Sequence, residues 1–161
     1  MNKKAITRIL FVCTGNTCRS AMAEGILRSL IPEERRGDVA VRSAGTAGLV
    51  GAKATEHARS VCLEHGVDID AHRSSALTRE LLGRCDLILA MTRAHGEEVV
   101  AIAPESARRT HLLSEFADGS DVEVPDPMGA PREEYESTFG TLDGYLRKGL
   151  PFMMKLAGEE E

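Results

Sequence analysis

The feature of this sequence that most constrains its fold is the alternation of short apolar segments with amphipathic ones. The apolar segments are rich in Ile, Leu and Val and are bounded by polar residues, which is typical of buried strands. The strand candidates are residues 6–12, 39–43, 86–91 and 109–113. The intervening and following segments have apolar residues at helical spacing, and the helix candidates are residues 20–30, 55–65, 92–102 and 132–155.

This order predicts an α/β fold, with a central four-stranded parallel sheet and helices on both faces. A strand followed by a helix and another strand forms a βαβ unit, and such units build parallel sheets covered by helices. The last helix candidate contains Gly140, Gly144, Gly149 and Pro151. Glycine and proline disfavour helix interiors, so we expect these residues to interrupt that helix.

Length and composition exclude several classes of protein. The 161 residues predict a single domain over 1–161, with frayed ends at about 1–5 and 158–161. A hydrophobic content of 42% with 28% charged residues argues against overall disorder. The net charge of −5 and the absence of Trp argue against a nucleic-acid partner. No apolar run approaches the roughly 18 residues of a membrane span, so we expect no membrane partner.

The cysteines indicate a reducing compartment. Residues 9–13 form an apolar run that is shorter than the apolar region of a typical secretory signal, which has about 7–15 residues. Without an export signal, Cys13, Cys18, Cys62 and Cys85 are expected to be free thiols in the cytoplasm.

The loop after the first strand has the composition of an anion-binding site. Cys13 ends the strand and Arg19 begins the helix, so the loop between them lies at a helix N-terminus. Gly15 and Asn16 tolerate the backbone angles that turn N–H groups inward. Arg19 would grip two oxygens of a tetrahedral anion, and Cys13 would be the nucleophile. The predicted phosphate-binding loop comprises Thr14, Gly15, Asn16, Thr17, Cys18 and Ser20, whose hydroxyl would bond to the thiolate.

Other interpretations of this loop have less support. It lacks the Gly-Lys-Ser/Thr of a nucleotide-binding loop, and Cys13 and Cys18 are too far apart for a C-x-x-C redox pair. Cys62 and Cys85 are too scattered to complete a zinc site. An accidental match, with Cys13 a buried residue at the end of a strand, remains the alternative.

The group that leaves a phosphate ester or amide needs a proton donor, and Asp126 is the candidate. It precedes Pro127 in a late loop, and proline stiffens the turn and favours an extended conformation at Asp126. Asp118, Asp121 and Asp143 are alternatives.

These segments together resemble the low-molecular-weight protein tyrosine phosphatases. The resemblance covers most of the chain, and its segments are Cys13 to Ser20, Arg42-Ser43-Ala44-Gly45-Thr46, Ala71-His72-Arg73-Ser74 and Asp126-Pro127. It implies that Cys13 forms a phosphocysteine, that Arg19 holds the oxyanion, and that Asp126 is first general acid and then general base. It also implies a supporting hydrogen-bond network, formed by Asn16, Ser20, Ser43 and His72.

Two positions bear on the substrate. Thr17 stands where tyrosine-specific members typically carry Ile, and the segment Cys13 to Ser20 looks like the branch that dephosphorylates phosphoarginine on proteins. Met128 follows Asp126-Pro127, where tyrosine-specific members usually place aromatic residues. Phosphoarginine is therefore favoured over phosphotyrosine. Ala21 departs from the family, which usually has Pro after the Arg-Ser pair.

Three alternatives stay open: a tyrosine phosphatase of ordinary specificity, an arsenate reductase coupled to thioredoxin, and a phosphate-binding module without activity. The reductase needs two further cysteines close together, whereas Cys62 and Cys85 are widely separated and resemble buried apolar residues. The histidines His57, His65, His95 and His111 show no metal-ligand spacing and are expected at the surface or in helix packing. We expect no cofactor or metal, phosphorylated proteins or peptides as substrates, and a monomer.

Overall fold

Four strands form one parallel sheet in the order β2-β1-β3-β4 in this computed structural model, which describes residues 5–158. The strands are β1 (Thr7–Cys13), β2 (Val39–Gly45), β3 (Leu87–Ala90) and β4 (Thr110–Leu112). Both neighbours of β1 run parallel to it, and so does the β3–β4 pair. The predicted α/β architecture with a four-stranded parallel sheet is confirmed. The predicted frayed ends lie outside the described residues, except for Ala5 and Gly158.

Six α-helices accompany the sheet in the part of the chain that the structure describes: α1 (Arg19–Leu30), α2 (Glu56–Glu64), α3 (Arg79–Arg84), α4 (Arg93–Ile102), α5 (Leu113–Asp118) and α6 (Arg132–Gly158). Short 3₁₀ helices occupy Glu33–Asp38 and Pro104–Arg109. The helices α3 and α5 and the 3₁₀ helices were not predicted from the sequence, because such short segments show too little periodicity. None of the described helices combines the length and apolar character needed to cross a membrane.

The side chains of β1 point alternately into two apolar clusters. Ile9 and Phe11 join the cluster that contains residues of α1, α2 and α6. Leu10 and Val12 join the other cluster, with Leu82 of α3 and Val99 of α4. Helices therefore cover both faces of the sheet, and the carboxyl ends of β1, β2 and β3 meet at one edge, where parallel α/β sheets bind their ligands.

The expected interruption of the last helix is wrong. The helix α6 runs through all three glycines and includes Pro151 in its interior. Its buried residues recur every three or four positions and are Tyr135, Thr138, Phe139, Leu142, Leu146, Gly149, Met153 and Ala157. Packing of this long face against α1, α2 and α5 outweighs the local cost of glycine and proline.

Candidate active site

The thiol of Cys13 lies at the carboxyl end of β1, and its neighbours hold it in place. Cys13 is only 2% exposed and pairs in register with Gly45 of β2. Its Sγ lies 2.8 Å from the hydroxyl oxygen of Ser20, in the first turn of α1. The two predicted residues are thus brought together, with the amino terminus of α1 directed at the loop between them.

Asn16 organises the loop from the inside. Its backbone φ is 57°, in the left-handed region that asparagine tolerates better than most residues. Its buried side chain donates from Nδ2 to Ser20 Oγ (2.8 Å) and accepts at Oδ1 from the backbone N–H of Ser75 (2.8 Å). One amide therefore joins the start of α1 to the segment around residue 75.

Ser43 and His72 approach this loop through a buried carboxylate. Ser43 donates to Oε1 of Glu24 at 2.6 Å, and Nδ1 of His72 lies 4.0 Å from the same oxygen. The other ring nitrogen of His72 lies 2.7 Å from the carbonyl oxygen of Asn16. Glu24 was not predicted from the sequence, because its importance comes from its contacts with Ser43 and His72, which are distant in sequence.

The loop also packs closely against the end of β2. The carbonyl oxygens of Cys13 and Thr14 accept from the backbone N–H groups of Thr46 (2.9 Å) and Ala47 (3.0 Å). A Cβ on Gly45 would collide with the Thr14 carbonyl oxygen, so this close approach requires glycine. Backbone N–H groups just after β2, which are distant from the loop in sequence, thus hold the loop from this side.

Arg19 connects the loop to Asp126. Its side chain is 5% exposed, and its Nη1 donates to the carbonyl oxygen of Val124 at 3.0 Å. Its Nη2 lies 3.6 Å from Oδ2 of Asp126, whose side chain is 49% exposed. The Nε of Arg19 is buried and lacks a hydrogen-bond partner within the described residues. An oxyanion is the partner that a guanidinium donor in such a loop fits.

The loop that carries Asp126 has its own anchors. The backbone N–H of Val124 donates to the carbonyl oxygen of Met91, which follows β3, at 2.9 Å. Arg93 forms ion pairs with Asp121 and Glu123. Asp126 itself accepts from the backbone N–H of Met128 at 3.0 Å, an Asx turn that orients the carboxylate.

The three alternative acids are engaged elsewhere. Hydrogen bonds from Ser120 and Lys148 engage the carboxylate of Asp118 and lower its pKa to about 2. Asp121 pairs with Arg93, and Asp143 pairs with Arg147 one turn along α6. Among the four candidate acids, Asp126 is the one that faces Arg19.

His95 also lies at this edge, and sequence reasoning did not assign it to the site. It is 5% exposed, and its Nε2 lies 2.8 Å from the hydroxyl oxygen of Thr14. Burial, and then the charge of Arg19, lower the pKa of His95 to about 4, against the opposing charges of Asp126 and Glu123. The available signal was topological, because the first turn after β3 must lie beside the first turn after β1.

Two loop residues have contacts apart from the central network. The hydroxyl of Thr17 faces Gly15, where an added Cβ would lie 3.5 Å from Thr17 Oγ1. The Sγ of Cys18 lies 3.5 Å from Thr55 Oγ1 and 3.6 Å from the hydroxyl of Tyr135 in α6. On the Asp126 loop, Met128 is exposed. The predicted site residues therefore all lie at or beside one edge of the sheet.

Cys62 and Cys85 lie in separate parts of the core. Cys62 is in α2 and Cys85 follows α3, both are buried, and all four cysteines are free. Burial raises the pKa of Cys62 to about 12 and also raises that of Cys85, so both stay protonated thiols. They do not form the close pair that an oxidation relay needs. Between residues 5 and 158, no cluster of three or more His, Cys, Asp or Glu residues is placed to hold a metal ion.

Comparison with known proteins identifies the family. The family model described as low molecular weight phosphotyrosine protein phosphatase matches residues 8–159. A protein-arginine-phosphatase from Geobacillus stearothermophilus is 40% identical over 136 residues, covering 84% of this chain and 88% of the relative. The low molecular weight protein-tyrosine-phosphatase Etp from Escherichia coli K12 is also 40% identical, over 135 residues, covering 84% of this chain and 86% of Etp.

Solved structures agree with the sequence comparison. A structure of the YwlE arginine phosphatase with a phosphorylated active-site serine superposes with a TM-score of 0.85 at 39% identity, covering 92% of this chain and 96% of the other. The family match spans nearly the whole described chain, and both fold and sequence support it. The chain belongs to the low molecular weight phosphotyrosine protein phosphatase family and is a cysteine-dependent protein phosphatase.

Proposed function

We propose that this enzyme hydrolyses phosphoarginine on proteins, with Cys13 as nucleophile, Arg19 as oxyanion ligand and Asp126 as general acid and base. The observation that carries the proposal is the arrangement around Cys13: its thiol lies against Ser20 at the start of α1, and Arg19 faces Asp126 across the same loop. Thr14, Gly15, Asn16, Thr17, Cys18 and Ser20 complete the phosphate-binding loop, supported by Ser43 and His72.

In the first step, the thiolate of Cys13 attacks phosphorus, so a P–S bond forms while the P–N bond of phosphoarginine breaks. Asp126 gives its proton to the departing nitrogen, and arginine leaves as the guanidinium cation, because the phosphorylated guanidinium already carries its other protons. The inward N–H groups of the loop and the amino terminus of α1 stabilise the negative charge on the phosphoryl oxygens. The Nε of Arg19, which has no partner among the described residues, is a further donor for these oxygens.

In the second step, water attacks the phosphocysteine. Asp126, now a carboxylate, accepts a proton from that water while the P–S bond breaks and phosphate forms. The hydroxyl of Ser20, 2.8 Å from the sulfur, stabilises the departing thiolate of Cys13. Neither step requires a redox partner or a metal.

The preference for phosphoarginine rests on Thr17 and Met128. Thr17 places a hydroxyl over Gly15 in the loop, where an Ile side chain would offer only methyl groups. Met128, which is 53% exposed beside Asp126, presents a flexible thioether and no ring to stack on a phenol. The relative named protein-arginine-phosphatase supports the same choice.

We further propose that the enzyme acts in the cytoplasm as a monomer, on phosphorylated proteins or peptides, without nucleic acid or membrane as a partner. The four free thiols fit a reducing compartment, and the net charge of −5 disfavours nucleic acid.

The test is kcat/KM on one peptide sequence carrying either phosphoarginine or phosphotyrosine. We expect wild type to prefer phosphoarginine, Thr17→Ile to reverse that order, and Cys13→Ser to lose turnover of both. Thr141→Ile, at a partly exposed threonine on α6, is the matched control for the substitution itself. Turnover retained by Cys13→Ser would refute the assignment of Cys13 as the nucleophile.

The second candidate is a phosphotyrosine-specific enzyme, favoured by the equal identity of the tyrosine phosphatase Etp. A wild-type preference for the phosphotyrosine peptide would establish it and remove the proposed role of Thr17.

A further inference from the structure

His95 is buried against the phosphate-binding loop, and the mechanism above gives it no role. It lies in the first turn of α4, where its Nε2 is 2.8 Å from Thr14 Oγ1 and its Nδ1 is 3.0 Å from Thr92 Oγ1. Thr92 caps α4 by accepting from the backbone N–H of His95. Thr14 immediately follows Cys13 and is exposed. The imidazole thus joins the cap of α4 to an exposed hydroxyl beside the nucleophile.

The ring of His95 is neutral near neutral pH. Burial, and then the nearby charge of Arg19, lower its pKa to about 4, against the opposing charges of Asp126 and Glu123. A neutral imidazole has one donor and one acceptor nitrogen. The ring of His95 therefore accepts a hydrogen bond from one of the two threonine hydroxyls and donates a hydrogen bond to the other.

Two proton arrangements satisfy this chain. If Nε2 carries the proton, Thr14 accepts from His95 and its own hydrogen points elsewhere. If Nδ1 carries the proton, it donates to Thr92, and the hydroxyl of Thr14 donates to Nε2. In the second arrangement the lone pairs of Thr14 remain free to accept a hydrogen bond from a substrate.

The leaving group of phosphoarginine selects the second arrangement. A guanidinium group carries only hydrogen-bond donors, and the loop N–H groups and Arg19 are donors too. A hydrogen-bond acceptor beside Cys13 is therefore the complement that the phosphate-binding loop lacks. A phenol leaving group needs a donor instead, and Asp126 supplies it as the general acid without help from Thr14 or His95.

We propose that His95 is a positioning residue for phosphoarginine turnover: it accepts the hydroxyl proton of Thr14 and so turns an oxygen lone pair of Thr14 toward a guanidinium N–H of the substrate. This inference rests on the proposed protein-arginine phosphatase activity and deepens it, because it assigns Thr14 to leaving-group recognition.

The experiment compares His95→Phe, His95→Gln, Thr14→Val and the double variant His95→Phe/Thr14→Val on the two peptides. Loss of one hydrogen bond predicts a decrease of about tenfold in kcat/KM for the phosphoarginine peptide in His95→Phe and in Thr14→Val. The phosphotyrosine peptide should change by about twofold or less in His95→Phe. The double variant should be no worse than Thr14→Val alone, and His95→Gln, which retains an acceptor, should recover most of the activity.

His111→Phe is the matched control, because His111 lies in β4 and its ion-pair partner is Glu115, away from the loop. Thermal unfolding of each variant identifies misfolding; Thr14→Val, at an exposed position, carries the test if His95→Phe does not fold. Equal losses on both peptides, additive losses in the double variant, or a His95→Gln as impaired as His95→Phe would overturn this inference alone. A wild type without phosphoarginine turnover would overturn the proposed function as well.

Discussion

The two loops that meet at the active site are built in opposite ways. The phosphate-binding loop, residues 13–20, is mostly buried and is held by hydrogen bonds to the end of β2 and to the segment near residue 75. The loop that carries Asp126 is mostly exposed, and its anchors are one backbone bond to Met91, hydrogen bonds of Ser114 with residues 120 and 122, and surface ion pairs of Arg93. Arg19 is the contact between them.

This difference matches the two tasks of the site. A loop that binds a phosphoryl group gains from preorganised donors that need no rearrangement during the reaction. An acid that protonates the leaving group must face the substrate from the opposite side and exchange protons with water. Rigidity and access are therefore divided between two segments, and mutations in each should have different signatures.

The largest expected effect concerns the chemistry of the exposed loop. Asp126→Asn removes the proton donor and leaves the shape of the side chain, so kcat should fall about 10²–10⁴-fold. Because the residue is exposed and no core contact is lost, thermal unfolding should stay within about 2 °C of wild type. Steady-state kinetics and thermal melts measure both quantities. Asp143→Asn, an acid on α6 away from the site, is the control.

The intermediate effect concerns the architecture of the buried loop. Asn16→Ala removes two buried hydrogen bonds and places Ala at a positive φ, so we expect a loss of about 2–4 kcal/mol in unfolding free energy. Activity should fall at least tenfold with the same substrate preference. Denaturant unfolding and kcat/KM on both peptides are the measurements. An unchanged stability would show that the network does not hold the loop.

The smallest expected effect concerns the anchoring of the exposed loop. Arg93→Gln breaks the ion pairs with Asp121 and Glu123, but exposed pairs of this kind contribute only about 0–1 kcal/mol. Activity should therefore fall only about two- to fivefold, with little change in melting temperature. Arg147→Gln, which breaks an exposed pair on α6, should leave activity unchanged. A loss as large as that of Asp126→Asn would mean that the ion pairs, and not the backbone, place the acid.

The parallel sheet and the positions of Cys13 and Arg19 were predictable because apolar periodicity and a strand–loop–helix transition are local signals. Glu24 and His95 were not identified, because their importance comes from burial beside residues distant in sequence. The helix α6 was mispredicted for a related reason: local propensities at Gly149 and Pro151 oppose a helix that tertiary packing stabilises. Local patterns thus located the nucleophile, whereas the groups that support it required the tertiary structure.

The partners of Asn16 have a consequence for how the enzyme assembles. Its hydrogen bonds to His72 and Ser75 span 56 and 59 positions of sequence, and the loop also needs β2 to be paired. Contacts of such high sequence separation form only after the chain has overcome a large loop-closure entropy. We therefore expect the phosphate-binding loop to become ordered only when the sheet and the segment around residue 72 are in place. On refolding, we expect catalytic activity to return with the complete tertiary structure, later than the secondary structure.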